Sequence, residues 1–142
     1  MKITISGLKS IDKELNIYID KITDLSVFYK RSVRPIIANE IKRVFASKGY
    51  GDWAPRKDNK THPLLILTGR FFKSLTLQSH PDNIHMYGKK KMTWGSRTPY
   101  GIYLEEGTSR MVSRATLAKI IQRKKMQVEA RIKKSLEKYL GF

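Results

Sequence analysis

The chain has 142 residues, of which 40% are hydrophobic and 29% are charged, so it is long enough to bury one core and is not disordered by composition. Its lack of cysteine excludes disulfides, zinc sites built on thiolates and thiol nucleophiles. The formal net charge is +17, from 29 Lys and Arg against 12 Asp and Glu, and such an excess attracts polyanions.

The positive charge is spread along the whole chain. Residues 1–62 carry a net charge of +6, residues 63–115 of +5 and residues 116–142 of +6. This even spread favours one basic folded domain over residues 1–142 rather than a basic tail on a neutral domain. No apolar run approaches the roughly 20 residues of a membrane helix, and the N-terminal sequence is charged where a signal peptide is apolar. We therefore expect a soluble protein that is not exported.

The first part of the chain predicts a short strand followed by two helical segments. Lys2 to Ile5 alternates polar and apolar residues, as a strand does. After Ser10, apolar residues recur every three or four positions, which predicts an amphipathic helix. Pro35 places a helical restart near Ser32, and the alternative is that the two segments form nearly one long, kinked rod. The apolar stripe of the first helix consists of Ile11, Leu15, Tyr18, Ile22, Leu25 and Tyr29.

Three further apolar residues of this segment, Ile17, Val27 and Phe28, lie off the stripe. They indicate either a wide core face within the chain, which we favour, or a second side that packs against another chain. The second helix is expected to end at Gly49 and Gly51. Its apolar stripe consists of Val33, Ile37, Ile41, Val44 and Phe45.

The middle of the chain predicts a long loop, a helical turn and a β-meander. Residues 49–63 are rich in Gly, Pro, Asp and Asn, which is typical of a loop. Leu64 to Leu67 is a short buried run, and Thr68 is expected to cap a helical turn over residues 70–74. Three antiparallel strands follow, separated by turn-forming sequences. These strands are Leu75 to Ser79, Ile84 to Tyr87 and Met92 to Gly95.

The C-terminal part predicts two helices. Thr98 and Pro99 start a short helix that Gly107 ends, and Ser113 is the expected cap of the closing helix. We therefore predict an α+β fold, in which a small antiparallel sheet of three to five strands is packed by a long N-terminal helical segment and a C-terminal helix. The stripe of the closing helix consists of Leu117, Ile121, Val128, Ile132, Leu136 and Tyr139.

The sequence contains no pattern typical of an enzyme or a cofactor site. A phosphate loop, a GxGxxG turn and an HExxH metal motif are all absent. The best acidic pair is Glu105 and Glu106, but adjacent residues of a helix diverge by about 100° and do not converge on one target. We expect these acids to act structurally, against Arg97, Arg110 or a neighbouring subunit. We predict no catalytic residue, cofactor, metal or small-molecule substrate.

Two groups of basic residues predict contact with a nucleic-acid backbone. Lys89, Lys90 and Lys91 lie at a predicted hairpin tip, and Lys124 and Lys125 belong to the basic side of the closing helix. No helix-turn-helix, RNP-like or zinc-finger signature is present, so the expected binding is independent of base sequence. A basic surface used mainly against protein is an equal alternative.

Three blocks of sequence carry a family resemblance. Residues 41–55, IKRVFASKGYGDWAP, combine a helix end, a Gly-containing turn and a W-x-P step, in which Trp53 is expected to fold the loop onto the core. Residues 62–76, HPLLILTGRFFKSLT, contain leucines, Thr-Gly-Arg, a hydrophobic pair and Ser. Residues 94–117, WGSRTPYGIYLEEGTSRMVSRATL, combine a strand, Pro-Tyr, a helix, E-x-G-T and a later Arg. In this order the blocks resemble the bacteriophage virion morphogenesis and tail-completion family.

The resemblance implies a structural protein of the virion neck or tail, assembled in the host cytoplasm, that joins head and tail or completes the tail. It implies a ring of identical subunits around the DNA path, with the tail tube and the head-tail connector as further partners and nonspecific DNA contact in a positive lumen. The alternative is a free-standing nonspecific nucleic-acid-binding protein, favoured by the net charge of +17. The candidate interface residues are Trp53, Tyr100, Tyr103, Glu105, Glu106 and Arg110.

Overall fold

The computed structural model of the protein describes residues 8–55, 57 and 68–141, with side chains described from residue 16 onward. The predicted strand Lys2 to Ile5 and the apolar run Leu64 to Leu67 lie outside the described residues. So does most of the second half of the predicted loop.

The N-terminal helical segment is interrupted at residues 24 and 25. Helix α1 spans Leu8–Thr23, and the short helix α2 spans Ser26–Phe28. The carboxylate of Asp24 accepts a hydrogen bond from the amide of Ser26, at 2.9 Å, and so pairs one of the amides that a new helix leaves free. The chain is therefore helical again from Ser26, six residues before the predicted restart near Ser32.

From α2 the chain stays helical through a π-helical segment. This segment spans Tyr29–Val33, and helix α3 spans Arg34–Ala46. The amide of Arg34 donates to the carbonyl of Tyr29, five residues back, and this wider turn accommodates the missing amide hydrogen of Pro35. Pro35 therefore lies in the first turn of α3, as predicted, without ending the helical run.

Helix α3 ends in a turn of four consecutive residues with positive φ. Residues 48–51 have φ values between 53° and 86°. The amide of Gly49 donates to the carbonyl of Val44 at 2.8 Å, a bond typical of helix C-termini. The turn lays the indole of Trp53 against Gly49, where it is buried. The predictions that glycines end this helix and that Trp53 folds onto the core are both confirmed.

The predicted strand Leu75 to Ser79 was wrong. Helix α4 spans Arg70–Thr76 and so includes the first two residues of that strand. Phe71 and Leu75 are four residues apart on one face of α4, and both are buried. Burial of this helical face outweighs the preference of the local sequence for a strand.

The described residues contain one antiparallel hairpin. Strand β1 spans Asn83–Tyr87, strand β2 spans Met92–Ser96, and His85 lies opposite Trp94. The indole of Trp94 donates to the carbonyl of Leu75 at 2.7 Å, which attaches the hairpin to α4. The α+β class is thus confirmed. The sheet of three to five strands is not, because the described residues form two strands.

Two helices complete the fold. Helix α5 spans Gly101–Glu106 and ends at Gly107, whose φ is 77°, as predicted. Helix α6 spans Leu117–Leu140, and Thr116 occupies its N-cap position. Ser113 was predicted to cap α6 but does not, because its hydroxyl donates to a backbone carbonyl of α5.

The core lies where α3, α4 and α6 meet, and it joins the three sequence blocks described above. The rings of Phe45 and Trp53 pack edge to face with centroids 5.5 Å apart. The indole of Trp53 donates to the carbonyl of Ala115 at 2.9 Å, which ties the first block to the third. Residues of all three blocks therefore pack at this core, although most of the third block, residues 94–117, is exposed or half-buried. The buried cluster consists of Ile41, Val44, Phe45, Trp53, Phe71 and Leu75.

Candidate functional site

A surface cleft of about 510 Å³ lies between α3 and α6. Helix α3 supplies Glu40 and Arg43, helix α6 supplies Lys124 and Arg131, and the turn after α3 supplies Tyr50. Three of these side chains are cations and one is an anion, so the cleft has an excess of positive charge. The remaining lining residues are Ala46, Ser47 and Gln127.

The carboxylate of Glu40 organises the cleft, although the residue is only 2% exposed. Its Oε1 accepts a hydrogen bond from the Tyr50 hydroxyl at 2.7 Å. Its Oε2 accepts from Arg43 at 3.1 Å and from Arg131 at 3.0 Å. Burial by itself would raise the pKa of Glu40, but these hydrogen bonds and the two guanidinium charges hold that pKa below its usual value. The buried carboxylate is therefore ionised at neutral pH.

Tyr50 acts only as a donor in this network. Burial and the hydrogen bond to Glu40 both raise the pKa of the Tyr50 hydroxyl, so it keeps its proton. The ammonium of Lys124 lies over the Tyr50 ring, 5.3 Å from its centroid. Tyr50 thus links the buried carboxylate to the cation at the surface of the cleft.

The three cations keep hydrogen-bond donors that no described side chain uses. Arg43 and Arg131 each contact Glu40 through Nη1, which leaves Nε and Nη2 of both guanidinium groups available. Both side chains are about half exposed. Lys124 forms no ion pair with any carboxylate among the described residues. The cleft therefore presents several charged donors to solvent, where they can bind an anion.

Only Lys124 of the cleft residues was predicted from the sequence. The sequence contains a signal for Glu40 that was missed. Glu40 lies about 40° from Val44 on the apolar face of α3, and a carboxylate in such a position is rarely buried without a partner. Arg131 gives no comparable signal, since it is 91 residues from Glu40 in the chain. The contact between them depends on how α3 and α6 pack.

The six predicted interface residues occupy two kinds of environment. Trp53 lies in the core, and Glu105 is directed at the start of α6. The Glu105 carboxylate accepts hydrogen bonds from the amides of Thr116, at 2.8 Å, and Leu117, at 3.0 Å, and also from the Thr116 hydroxyl. It caps α6 and meets the positive end of the helix dipole. The exposed candidates are Tyr100, Tyr103, Glu106 and Arg110.

The five predicted DNA-facing lysines lie in separate places. Lys89 to Lys91 are exposed at the hairpin tip, and the Lys89 carbonyl accepts from the amide of Leu25 at 2.8 Å. The tip therefore contacts the break between α1 and α2. Lys124 lies in the cleft, whereas Lys125 points about 100° away around α6. Its ammonium is 3.9 Å from the carboxylate of Glu129.

The part of α1 whose side chains are described, from residue 16 onward, exposes apolar residues that were expected to enter the core. Ile22, a member of the stripe, is 54% exposed, and the neighbouring Ile19 is 49% exposed. Of the residues off the stripe, Phe28 is buried, whereas Ile17 and Val27 are exposed. The expectation of a wide core face within the chain is therefore wrong for the described part of α1.

Helix α1 also differs from the rest of the chain in charge. Helix α1 contains three acidic and three basic side chains, whereas α6 contains two acidic and eight basic ones. Helix α6 in turn exposes Ile121 and Met126, the latter to 83%. The ammonium of Lys21 donates to the carbonyl of Tyr139 at 3.3 Å, so α1 contacts the C-terminal end of α6.

Within the described ranges, no three His, Asp or Glu side chains are grouped so that they could hold a metal ion. None of the helices in the described part of the chain is long and apolar enough to cross a membrane. No protein-family model, curated protein or solved structure matches this chain. A functional interpretation therefore depends on the chain's own residues.

Proposed function

We propose that this protein is a structural subunit of a bacteriophage virion, acting in tail completion or head-tail joining. Its mechanism is association rather than catalysis: copies of the chain assemble with each other, as a ring around the DNA path, and with other virion proteins. The three sequence blocks support the virion role. The exposed apolar face of α1 supports the assembly.

The exposed apolar face of α1 is the observation that carries the proposal. Helix α1 has 16 residues, and an isolated helix of this length is only marginally stable in water unless its apolar face is buried. Ile19 and Ile22 are about half exposed, so this face is available to a partner. Contiguous apolar surface on a folded protein is typical of an interaction site.

Charge favours a second copy of the chain as that partner. Helix α1 has no net charge and so does not repel α6, which has a net charge of +6 and exposes Ile121 and Met126. A contact between α1 of one subunit and α6 of the next joins two different surfaces. Such a head-to-tail contact closes into a ring when the rotation per subunit divides a full turn.

Light scattering on the purified protein tests the assembly. Ile22→Asp should shift the average mass towards the monomer, because the contact would have to bury an unpaired charge. Asn16→Asp is the matched control, since it adds the same charge to α1 about 120° away from Ile22. A wild type that stays monomeric at every concentration, or equal masses for both variants, would contradict the proposed contact.

Electron microscopy of phage particles made without the protein tests the virion role. We expect heads and tails that remain unjoined or tails that are incomplete. Supplying the Asn16→Asp variant should restore joined particles, and supplying Ile22→Asp should not. Normal infectious virions in the absence of the protein would rule out the proposed role.

The cleft between α3 and α6 favours a second candidate function, nonspecific nucleic-acid binding by the free chain. Arg43, Lys124 and Arg131 offer unused donors there. This function predicts that the monomer binds DNA with a steep dependence on salt concentration. Lack of binding by the monomer at low salt would exclude it.

A further inference from the structure

We propose that the cleft between α3 and α6 binds the phosphate groups of a nucleic-acid backbone. Arg43, Lys124 and Arg131 contact the phosphates, and the buried Glu40 positions the two guanidinium groups. A ring around DNA would use such a site, and in that respect the inference rests on the proposed function. The single chain nevertheless contains every residue of the site, so binding can be measured without the ring.

Glu40 gives the arginines a fixed geometry that surface arginines lack. Its Oε2 holds Nη1 of both Arg43 and Arg131, while Tyr50 occupies Oε1. A guanidinium is a rigid planar fork, so fixing one nitrogen restricts the direction of the others. The free Nε and Nη2 groups match the paired oxygens of a phosphate, which Arg binds in a bidentate manner.

The cations of α6 form a row that suits a polymer of regularly spaced charges. Lys124, Arg131 and Lys138 are seven residues apart, so they drift by only about 20° per step around the helix. Each step covers about 10 Å along the axis. Phosphates of one strand rise about 3.4 Å each along a duplex, so Lys124 and Arg131 span roughly three phosphates.

The balance of charge favours a nucleic acid over an acidic protein segment. The cleft itself has three cations against one carboxylate, and the whole chain has a net charge of +17. Such a field attracts most strongly the ligand with the highest density of negative charge. Contacts to phosphate position a nucleic acid but do not read its bases, so the expected binding is independent of sequence.

Fluorescence anisotropy with labelled single-stranded and duplex DNA, measured over a series of salt concentrations, tests the site. Lys124→Gln should weaken binding severalfold and reduce the slope of log affinity against log salt by about one. Lys125→Gln is the matched control, because it removes the same charge one residue away and outside the cleft. It should leave the slope unchanged.

Glu40→Gln tests positioning separately from charge. The variant raises the net charge by one, so a purely electrostatic surface would bind DNA more tightly. Loss of the ion pairs with Arg43 and Arg131 should instead weaken binding, at a temperature where circular dichroism shows the variant to be folded. Arg131→Lys provides a second test, because it keeps the charge and removes the planar fork; it should also weaken binding.

The site would be overturned by absence of binding by the wild type at low salt, by equal losses for Lys124→Gln and Lys125→Gln, or by tighter binding by Glu40→Gln. Displacement of the DNA by an oligoglutamate of equal charge would instead indicate an acidic protein partner and would also overturn it. Light scattering on Lys124→Gln separates this inference from the proposed function. If Lys124→Gln assembles normally and the cleft does not bind DNA, the phosphate site is refuted but the proposed function is not.

Discussion

Gly49 and Gly51 both follow α3 with positive φ, but only Gly49 is in contact with the core. A Cβ atom added at Gly49 would lie 2.3 Å from Cδ1 and 2.4 Å from Nε1 of Trp53. At Gly51, where φ is 86°, nothing lies within 4 Å of the same position. Substitution of Gly51 therefore tests only the free-energy cost of a side chain in this backbone conformation. Substitution of Gly49 also includes the cost of displacing the Trp53 indole.

We expect Gly51→Ala to lower the free energy of unfolding by about 1 kcal/mol, the cost of a side chain in a left-handed conformation. Gly49→Ala should lower it by about 3 kcal/mol, because the methyl group also displaces a buried Trp. Urea denaturation followed by tryptophan fluorescence measures both values. Equal losses would show that the contact between Gly49 and Trp53 is unimportant.

The buried carboxylate of Glu40 makes stability depend on pH. Its pKa in the folded protein is below the ordinary value of 4.5, so its contribution is fully present above that value and is lost as the pH falls through the folded pKa. At neutral pH, Glu40→Gln should lower the free energy of unfolding by about 3 kcal/mol, because it leaves two arginines without their anion.

The difference between wild type and Glu40→Gln should shrink as the pH is lowered below 4.5 and through the folded pKa of Glu40. Thermal unfolding at several pH values measures this difference. Glu129→Gln is the control, because Glu129 is an exposed carboxylate on α6 with only a distant ion pair. A difference that stays constant over this range would contradict the role assigned to Glu40.

The start of α6 is stabilised from outside the helix. The nearest serine, Ser113, satisfies the local rule for a cap, yet the cap is the carboxylate of Glu105, 11 residues before Thr116. Glu105 reaches the helix because α5 and the following segment double back. Rules based on neighbouring residues cannot find such a partner, since it depends on the path of the chain.

Glu105→Ala should lower the free energy of unfolding by about 1–2 kcal/mol, because it removes the acceptor of the first amides of α6. Glu106→Ala should change it by less than about 0.5 kcal/mol, since Glu106 is exposed. Hydrogen exchange should show faster exchange at the amides of Thr116 and Leu117 in the first variant only. Comparable exchange in both variants would exclude the capping role.

Local sequence rules predicted the elements that depend on neighbouring residues and missed those that depend on the path of the chain. Glycines at 49 and 107 mark the ends of α3 and α5 through local backbone conformation, and the sequence locates both ends correctly. Leu75 was assigned to a strand, although burial beside Phe71 keeps it in α4. In the cleft, Lys124 was found as one of many lysines, whereas its pairing with the ring of Tyr50 depends on tertiary packing.

Helix α1 stands out as an apolar helix without net charge on a basic protein. Its three acidic and three basic side chains cancel, within a chain of +17. Periodicity correctly identified α1 as amphipathic, but it could not tell whether the apolar face meets the same chain or another one. Both cases give the same spacing of apolar residues in the sequence.

Salt should affect the two proposed interactions differently. Raising the salt concentration from about 0.05 to 0.5 M should reduce DNA binding by orders of magnitude, because several phosphate contacts release counterions. Self-association through Ile19 and Ile22 should change much less, since apolar contacts are not screened by salt. Anisotropy and light scattering on the same samples measure both. If self-association declined with salt as steeply as DNA binding, the contact between subunits would be mainly ionic.

The connection between α5 and α6 is closed at its base by several hydrogen bonds. The amide of Arg114 donates to the carbonyl of Leu104 at 2.8 Å, beside the contacts of Glu105 with Thr116. Arg110 lies between these points and is exposed, so trypsin can reach it. A chain nicked there would keep its two fragments together in a native gel and release them only in denaturant.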